Sequence, residues 1–153
     1  MEEGDSFTMY EACLLHSRAD RALRVMVSRQ LERFDLTMME WLLMGVVNYG
    51  PGEGLTMSSV ASTLDVTLPQ VTALTASLIK AKLLKQKVSR QDRRSRRLFT
   101  TPACKRLLDE IEAAIKGAMQ EWVSDIPREQ LDTYFETVKL LAARKPPNHE
   151  EKA

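Results

Sequence analysis

The sequence predicts a mainly α-helical protein with one small β-hairpin, arranged as a winged helix-turn-helix between flanking helices. Three observations carry this. Apolar residues recur at three- and four-residue intervals over most of the chain. Two short helical patterns separated by a three-residue connection lie in its middle. The one stretch that alternates instead of repeating at helical spacing follows them at once. At 153 residues the chain suits a single domain, 1–153, large enough to bury roughly two-thirds of its unfolded surface.

The first element is a helix within residues 6–34. From Ser6 to about Arg33 there is no Gly or Pro, and apolar residues recur at Leu15, Ala19, Ala22 and Met26, and again at Leu23, Val27, Leu31 and Phe34. That stripe is wide enough to face more than one neighbour. Thr37 and Glu40 then form a capping box, in which the hydroxyl accepts from the third helical N–H while the carboxylate reaches back. The second helix runs from there through Trp41, Leu42, Leu43, Val46 and Val47 and stops at YGPGEG, residues 49–54.

TMSSVASTL, residues 56–64, repeats the helical spacing with Val60, Ala61 and Leu64. After Asp65-Val66-Thr67, a second box of Thr67 and Gln70, with Pro69 in the first turn, opens a fourth helix at about Leu68. Rotation by 100° per residue turns Val71, Leu74, Leu78 and Ala81 inward. It leaves Pro69, Thr72, Ala73, Ala76 and Lys80 outward, with Gln70 and Ser77 on the flank.

LKQKV at 84–88 and RLFT at 97–100 read as strands, with Arg90–Arg93 as the turn between them. Pro102 restarts helix, and Leu107, Leu108, Ile111, Ala114, Ile115, Ala118 and Trp122 keep its spacing. Pro127 opens a last helix bearing Leu131, Tyr134, Phe135, Val138 and Leu141. The ending RKPPNHEEKA, 144–153, is polar enough to be disordered.

A formal net charge of +1 conceals a strong division. Lys80 to Arg106 holds eleven basic residues and one acid, leaving eleven bases against twenty acids elsewhere. Five of the arginines fall between Arg90 and Arg97. Acids are too scarce in that run to neutralise it, so it predicts a polyanion partner rather than a salt-laced solvated face.

The order of elements selects double-stranded DNA. A second helix of this kind fits the major groove, and a basic hairpin beside it reaches the backbone or the adjacent minor groove. Gln70 is expected to contact adenine with both ends of its amide, Thr72 or Ala73 to pack on a thymine methyl, and Lys80 to meet phosphate.

Other chemistries find little purchase. His16 and His149 lie near opposite ends with no metal-ligand spacing, and there is no phosphate-binding glycine loop or nucleophile elbow, so neither cofactor nor enzyme activity is expected. No apolar run approaches membrane-spanning length. The acidic start MEEGDSF lacks a secretory pattern, which predicts a cytoplasmic protein with Cys13 and Cys104 reduced. The rival from another class is a winged-helix module that docks an acidic protein, because the outward face of the fourth helix has few polar groups. RNA is disfavoured, with Phe99 the lone aromatic of the basic stretch.

From Leu36 to about Leu108 the chain resembles the multiple-antibiotic-resistance regulator (MarR) family of winged-helix transcription factors. The resemblance rests on LTMMEWLL at 36–43, SSVASTLDV at 58–66, VTALTASL at 71–78 and Asp92-Arg93-Arg94, the family's D-x-R wing signature. It implies a homodimer built from helices in 6–34 and 102–143, with residues 36–101 binding a palindromic operator as a repressor. It also implies that Asp92 braces the wing through Arg94, that Arg90 or Arg93 enters the minor groove, and that Ser58 and Ser59 approach phosphates. Arg96 and Arg97 alternate on a strand, so one of them, taken as Arg96, is expected to join these contacts.

Release by a small aromatic or phenolic effector is a further implication, with His16, Arg18, Phe34 and Trp41 as the candidate pocket. Hydroperoxide-sensing members keep a reactive cysteine where Cys13 stands, which makes a cysteine-based redox regulator an alternative, although Ser17 and Val27 replace the accompanying tyrosines. Cys104, beginning a helix beside Lys105 and Arg106, is a second candidate for a lowered thiol pKa. The sequence departs from the family where Lys82 replaces a usual Gly, Gln86 a usual Arg, and Thr100–Cys104 an L-T-x-x-G block, so the turns there are expected to differ.

Overall fold

The computed structural model describes residues 8–144. The expected tail beyond Arg144, with His149, and the first residues of the expected opening helix lie outside them. In order the chain forms α1 (Met9–Leu31), a 3-10 turn (Glu32–Phe34), α2 (Met38–Asn48), α3 (Met57–Leu64) and α4 (Leu68–Lys80), followed by strands β1 (Leu84–Val88) and β2 (Arg96–Thr100) and helices α5 (Pro102–Trp122) and α6 (Arg128–Ala142). Six helices and a two-stranded antiparallel hairpin are the fold that the spacing predicts.

Two compact units divide within α5, the first ending at Ala118 and the second beginning at Met119. The first holds the hydrophobic core. Leu31, Leu43, Met44, Val60, Val71, Leu78, Leu84, Leu98, Cys104 and Ile111 are almost wholly buried there, drawing on every α-helix and strand from the end of α1 to the first half of α5. Only Val27 and Leu31 of α1 are buried, so most of that helix carries no load in the core. The second unit includes α6, which has no buried residue.

Local chemistry explains the helix starts. Thr8 and Glu11 form a capping box at α1, with the Thr8 N–H donating to Glu11 Oε2 at 2.8 Å. Thr37 and Glu40 do the same at α2, at 2.9 Å for Thr37 N–H to Glu40 Oε2 and 3.2 Å for Glu40 N–H to Thr37 Oγ1. Thr101 caps α5, accepting from the Cys104 N–H at 3.2 Å, and its hydroxyl also donates to the Lys82 carbonyl at 2.8 Å. One side chain thus joins the end of the α4–β1 turn to the start of α5.

The inward face of α4 departs from the expected one at Leu74, which is half-buried, and at Thr75 and Ala81. Its buried stripe is Val71, Thr75 and Leu78, while Ala81 is exposed. The helix ends at Lys80, so Ala81 is already the cap and Thr75 takes the place that helical rotation allots to the core side.

The turn after α4 forms even though it lacks glycine. Lys82 N–H donates to the Ile79 carbonyl and Leu83 N–H to the Leu78 carbonyl, both at 2.9 Å, a paired ending that needs a left-handed residue between them. Lys82 supplies it at φ 60°. A side chain there costs about 1 kcal/mol relative to glycine. Lys82→Gly should therefore stabilise the fold by about 0.5–1 kcal/mol, seen as a melting temperature raised by a few degrees.

Candidate nucleic-acid interface

The helix-turn-helix is α3 and α4. Between them Asp65 adopts φ 53°, and the Val66 N–H donates to the Ala61 carbonyl at 3.1 Å. Asp tolerates the left-handed conformation better than most side chains, which lets so short a connection turn the chain. Pro69, Gln70, Thr72, Ala73, Ala76 and Lys80 are all exposed on α4, as the rotation predicts. At the start of α3, Ser58 and Ser59 are exposed too, but Ser59 is part of the cap: its hydroxyl meets Thr56 Oγ1 at 2.9 Å and its N–H donates to the same oxygen at 3.1 Å.

The polar groups on α4 are less free than their exposure suggests. Thr67 N–H and Thr67 Oγ1 both donate to Gln70 Oε1 at 2.9 Å. Gln70 therefore spends its carbonyl on the helix start, and contact with both edges of an adenine would require it to leave. Thr72 Oγ1 donates to the Leu68 carbonyl at 2.9 Å. Ser77 on the flank donates to Glu40 Oε1 at 3.2 Å, tying α4 to α2.

The wing pairs Leu84 with Thr100 through Val88 with Arg96. β2 begins at Arg96, one residue before the expected start. A third segment joins it: Leu98 N–H donates to the Leu55 carbonyl at 2.7 Å, an isolated bridge that the sequence does not announce. Gly54, beside it at φ 83°, has no room for a side chain, since a Cβ would stand 2.7 Å from Phe99 Cζ.

At the tip, Ser89 N–H donates to the Ser95 carbonyl at 2.8 Å, and Ser95 N–H donates to the Asp92 carbonyl at 3.0 Å. Asp92 Oδ1 accepts from the Arg94 backbone N–H at 2.9 Å. Asp92 and Arg94 are thus joined through the main chain, and the Arg94 guanidinium is left to project. Arg97 turns the other way. Its Nη1 donates to the Gly54 carbonyl at 2.9 Å and lies 3.8 Å from Glu53 Oε1, fastening β2 to the loop before Leu55. Among the described residues, Arg90, Arg93, Arg94 and Arg96 form no ion pair, and all are exposed. The wing tip therefore carries fixed positive charge that pairs with no acid among the described residues.

Of the four residues expected to line an effector pocket, Trp41 borders a cavity among the described residues, one of about 180 Å³ lined also by Leu42, Gly45, Val46, Tyr49, Leu108 and Glu112. His16 and Arg18 are exposed along α1, and Phe34 is half-buried against the edge of the core. A larger cleft of about 450 Å³ lies under the wing, lined by Gly52, Glu53, Arg97, Phe99 and the strand end from Lys87 to Gln91.

The cysteines separate. Cys13 is exposed on α1. Cys104 is wholly buried, and burial pushes its thiol up to about 11 against the opposing pull of Lys105. The lowered pKa expected from its place at a helix start is thus overturned, because desolvation of the thiolate outweighs the nearby charge. Iodoacetamide at about pH 8 should label one thiol of the folded protein, Cys13, and both after denaturation, as mass spectrometry would count.

Among the described residues no group of three His, Cys, Asp or Glu could hold a metal ion, and no helix is long and apolar enough to cross a membrane.

Residues 34–95 match the sequence profile of the MarR family. The fold is shared with a MarR-family transcriptional regulator from Rhodococcus sp. RHA1, at TM-score 0.79 and 20% identity over 91% of this chain and 97% of that one. It is shared with CouR from Rhodococcus jostii RHA1 bound to p-coumaroyl-CoA, at TM-score 0.76 and 20% identity over 94% and 100% of the chains. It is also shared with the S. aureus MepR–DNA complex, at TM-score 0.71 and 24% identity over 91% and 100%.

Proposed function

As the winged-helix part of this chain is of the MarR family, we propose that the protein is a sequence-specific, DNA-binding transcription regulator acting in the cytoplasm as a homodimer. The observation that carries this reading is the wing tip, where Arg90, Arg93, Arg94 and Arg96 form no ion pair among the described residues, next in the chain after a helix whose exposed face is made of small residues. Small side chains let a helix sit deep in the major groove, and unpaired arginines gain by displacing counterions from phosphates.

Residues 36–101 form the DNA-binding part, and the helices within 6–34 and 102–143 join two copies. Exposed Met9, Tyr10, Leu14, Leu15 and Val25 on α1 and Tyr134, Phe135, Leu140 and Leu141 on α6 support this, since each set is apolar surface left exposed among the described residues. In a two-fold dimer the recognition helices enter successive major grooves about 34 Å apart, so the operator is palindromic. Occupancy of a promoter by such a dimer blocks transcription, which makes the protein a repressor.

A small aromatic effector is the further part of the reading. It takes support from CouR, bound to p-coumaroyl-CoA, and from the Mycobacterium tuberculosis family member Rv2887, in complex with p-aminosalicylic acid. The cavity beside Trp41 is below the usual ligand-site range of about 300–1,000 Å³, so an effector would enter there by widening it.

Selection from random duplex DNA, followed by fluorescence anisotropy on the selected sites, tests the function. The expected result is a two-fold symmetric motif with half-sites one helical turn apart. Absence of DNA binding at low salt overturns the reading, and affinity without any motif favours a protein-docking module.

A further inference from the structure

We propose that Gln70 addresses DNA as a hydrogen-bond donor only, and so selects against cytosine at the base it faces. The inference rests on the DNA-reading function proposed above. Gln70 is the third residue of α4, and recognition helices contact base edges with their N-terminal residues.

Its amide is oriented by the chain itself. Thr67 N–H donates to Oε1 at 2.9 Å, joined by the Thr67 hydroxyl at 2.9 Å. A backbone N–H has only a proton to offer, so the atom that meets it must be the carbonyl oxygen of the amide, never its nitrogen. Nε2, with two protons, is left without a protein partner among the described residues on an exposed side chain. A glutamine that pairs with both edges of adenine must accept from N6 while donating to N7. With Oε1 holding the start of α4, the accepting half is spent, and recovering it would strip the Thr67 N–H of its acceptor.

The bases then sort by what they offer in the major groove. Guanine presents O6 and N7, thymine O4 and adenine N7, all acceptors for Nε2. Cytosine presents its N4 amino group, a second donor, and two desolvated donors facing each other remain unpaired. Thr72 has the opposite polarity. Its proton goes to the Leu68 carbonyl at 2.9 Å, which leaves its oxygen to act as an acceptor.

Gln70→Glu isolates the polarity, because a carboxylate at this position completes the same capping box while its second oxygen becomes an acceptor. Binding sites are selected from random duplexes with wild type and variant, and circular dichroism melts confirm that both are folded. At one position in each half-site, wild type should take guanine over cytosine by about fivefold or more, and Gln70→Glu should reverse that preference with the other positions unchanged. Base preference is the readout, since an added carboxylate also weakens binding to every sequence. Gln70→Met, which offers neither donor nor acceptor, should level that position. If wild type selects a motif and Gln70→Glu selects the same bases throughout, the donor role is overturned while the DNA-reading function stands. If wild type selects no motif, both fall.

Discussion

Phe135→Asp should give a folded monomer whose operator affinity is lower by about 100-fold or more. In the single chain Phe135 is 47% exposed, and Tyr134 meets it edge to face with ring centroids 5.3 Å apart. With Leu140 and Leu141 also exposed, α6 presents apolar surface among the described residues, which the proposed dimer would cover. Because α6 has no buried residue, the substitution removes nothing from the core, and the circular dichroism melt should barely change. Placed in a dimer contact, by contrast, the new carboxylate must shed water without a counter-charge, which costs several kcal/mol. DNA binding falls with the dimer because the second half-site is held at an effective concentration that a monomer lacks. Sedimentation velocity and anisotropy on one operator check the two effects together. A variant that remains dimeric with full affinity would move the contact off this face.

Where sequence and structure agree, the determining chemistry is local. The boxes at Thr37–Glu40 and Thr67–Gln70 involve residues three apart, and the alternation in LKQKV gives β1 its full extent. Arg97 shows the limit. Strand alternation separates it from Arg96, but nothing nearby in the chain says that it reaches the Gly54 carbonyl, forty-three positions away. The Leu55–Leu98 bridge is of the same kind, a single non-local pairing with no periodic signal. Thr8 and Glu11 were legible as a T-x-x-E box, and would have placed the start of α1 after Thr8 rather than at Ser6.

Two residues were open to two sound readings, and packing decided between them. Cys104 stands at a helix start beside cations, which alone would ease ionisation, yet total burial reverses the balance. Gln70 lies on the exposed face proposed to read bases and also completes a cap, and the cap takes up its carbonyl. Lys82 is the reverse case: a side chain stands where a left-handed turn favours glycine, and the turn keeps its left-handed geometry because the Ile79 and Leu78 carbonyls are both paired there. The candidate pocket was the least legible feature, since His16, Arg18, Phe34 and Trp41 come from elements whose spacing alone does not set their facing.

Arg93→Ala combined with Arg94→Ala should weaken binding to all sequences together, by on the order of 100-fold near 0.1 M salt, and make it less salt-dependent. Each phosphate neutralised contributes about −0.9 to the slope of log K against log salt, and a dimer loses the charges of both wings, so the slope should become shallower by up to about 3.6. The loop itself should survive. Asp92 Oδ1 holds the Arg94 backbone N–H, which alanine retains, and the Ser89–Ser95 closure is also main-chain. Motif preference should stay as in wild type, because backbone contacts position the protein without reading bases. Arg97→Gln supplies the contrast. Its guanidinium is spent on Gly54 and Glu53, so its loss should loosen the wing and lower affinity while leaving the slope nearly unchanged. If the double alanine variant keeps the wild-type slope, the wing arginines do not lie at phosphates, and the positive charge at the tip needs a different partner.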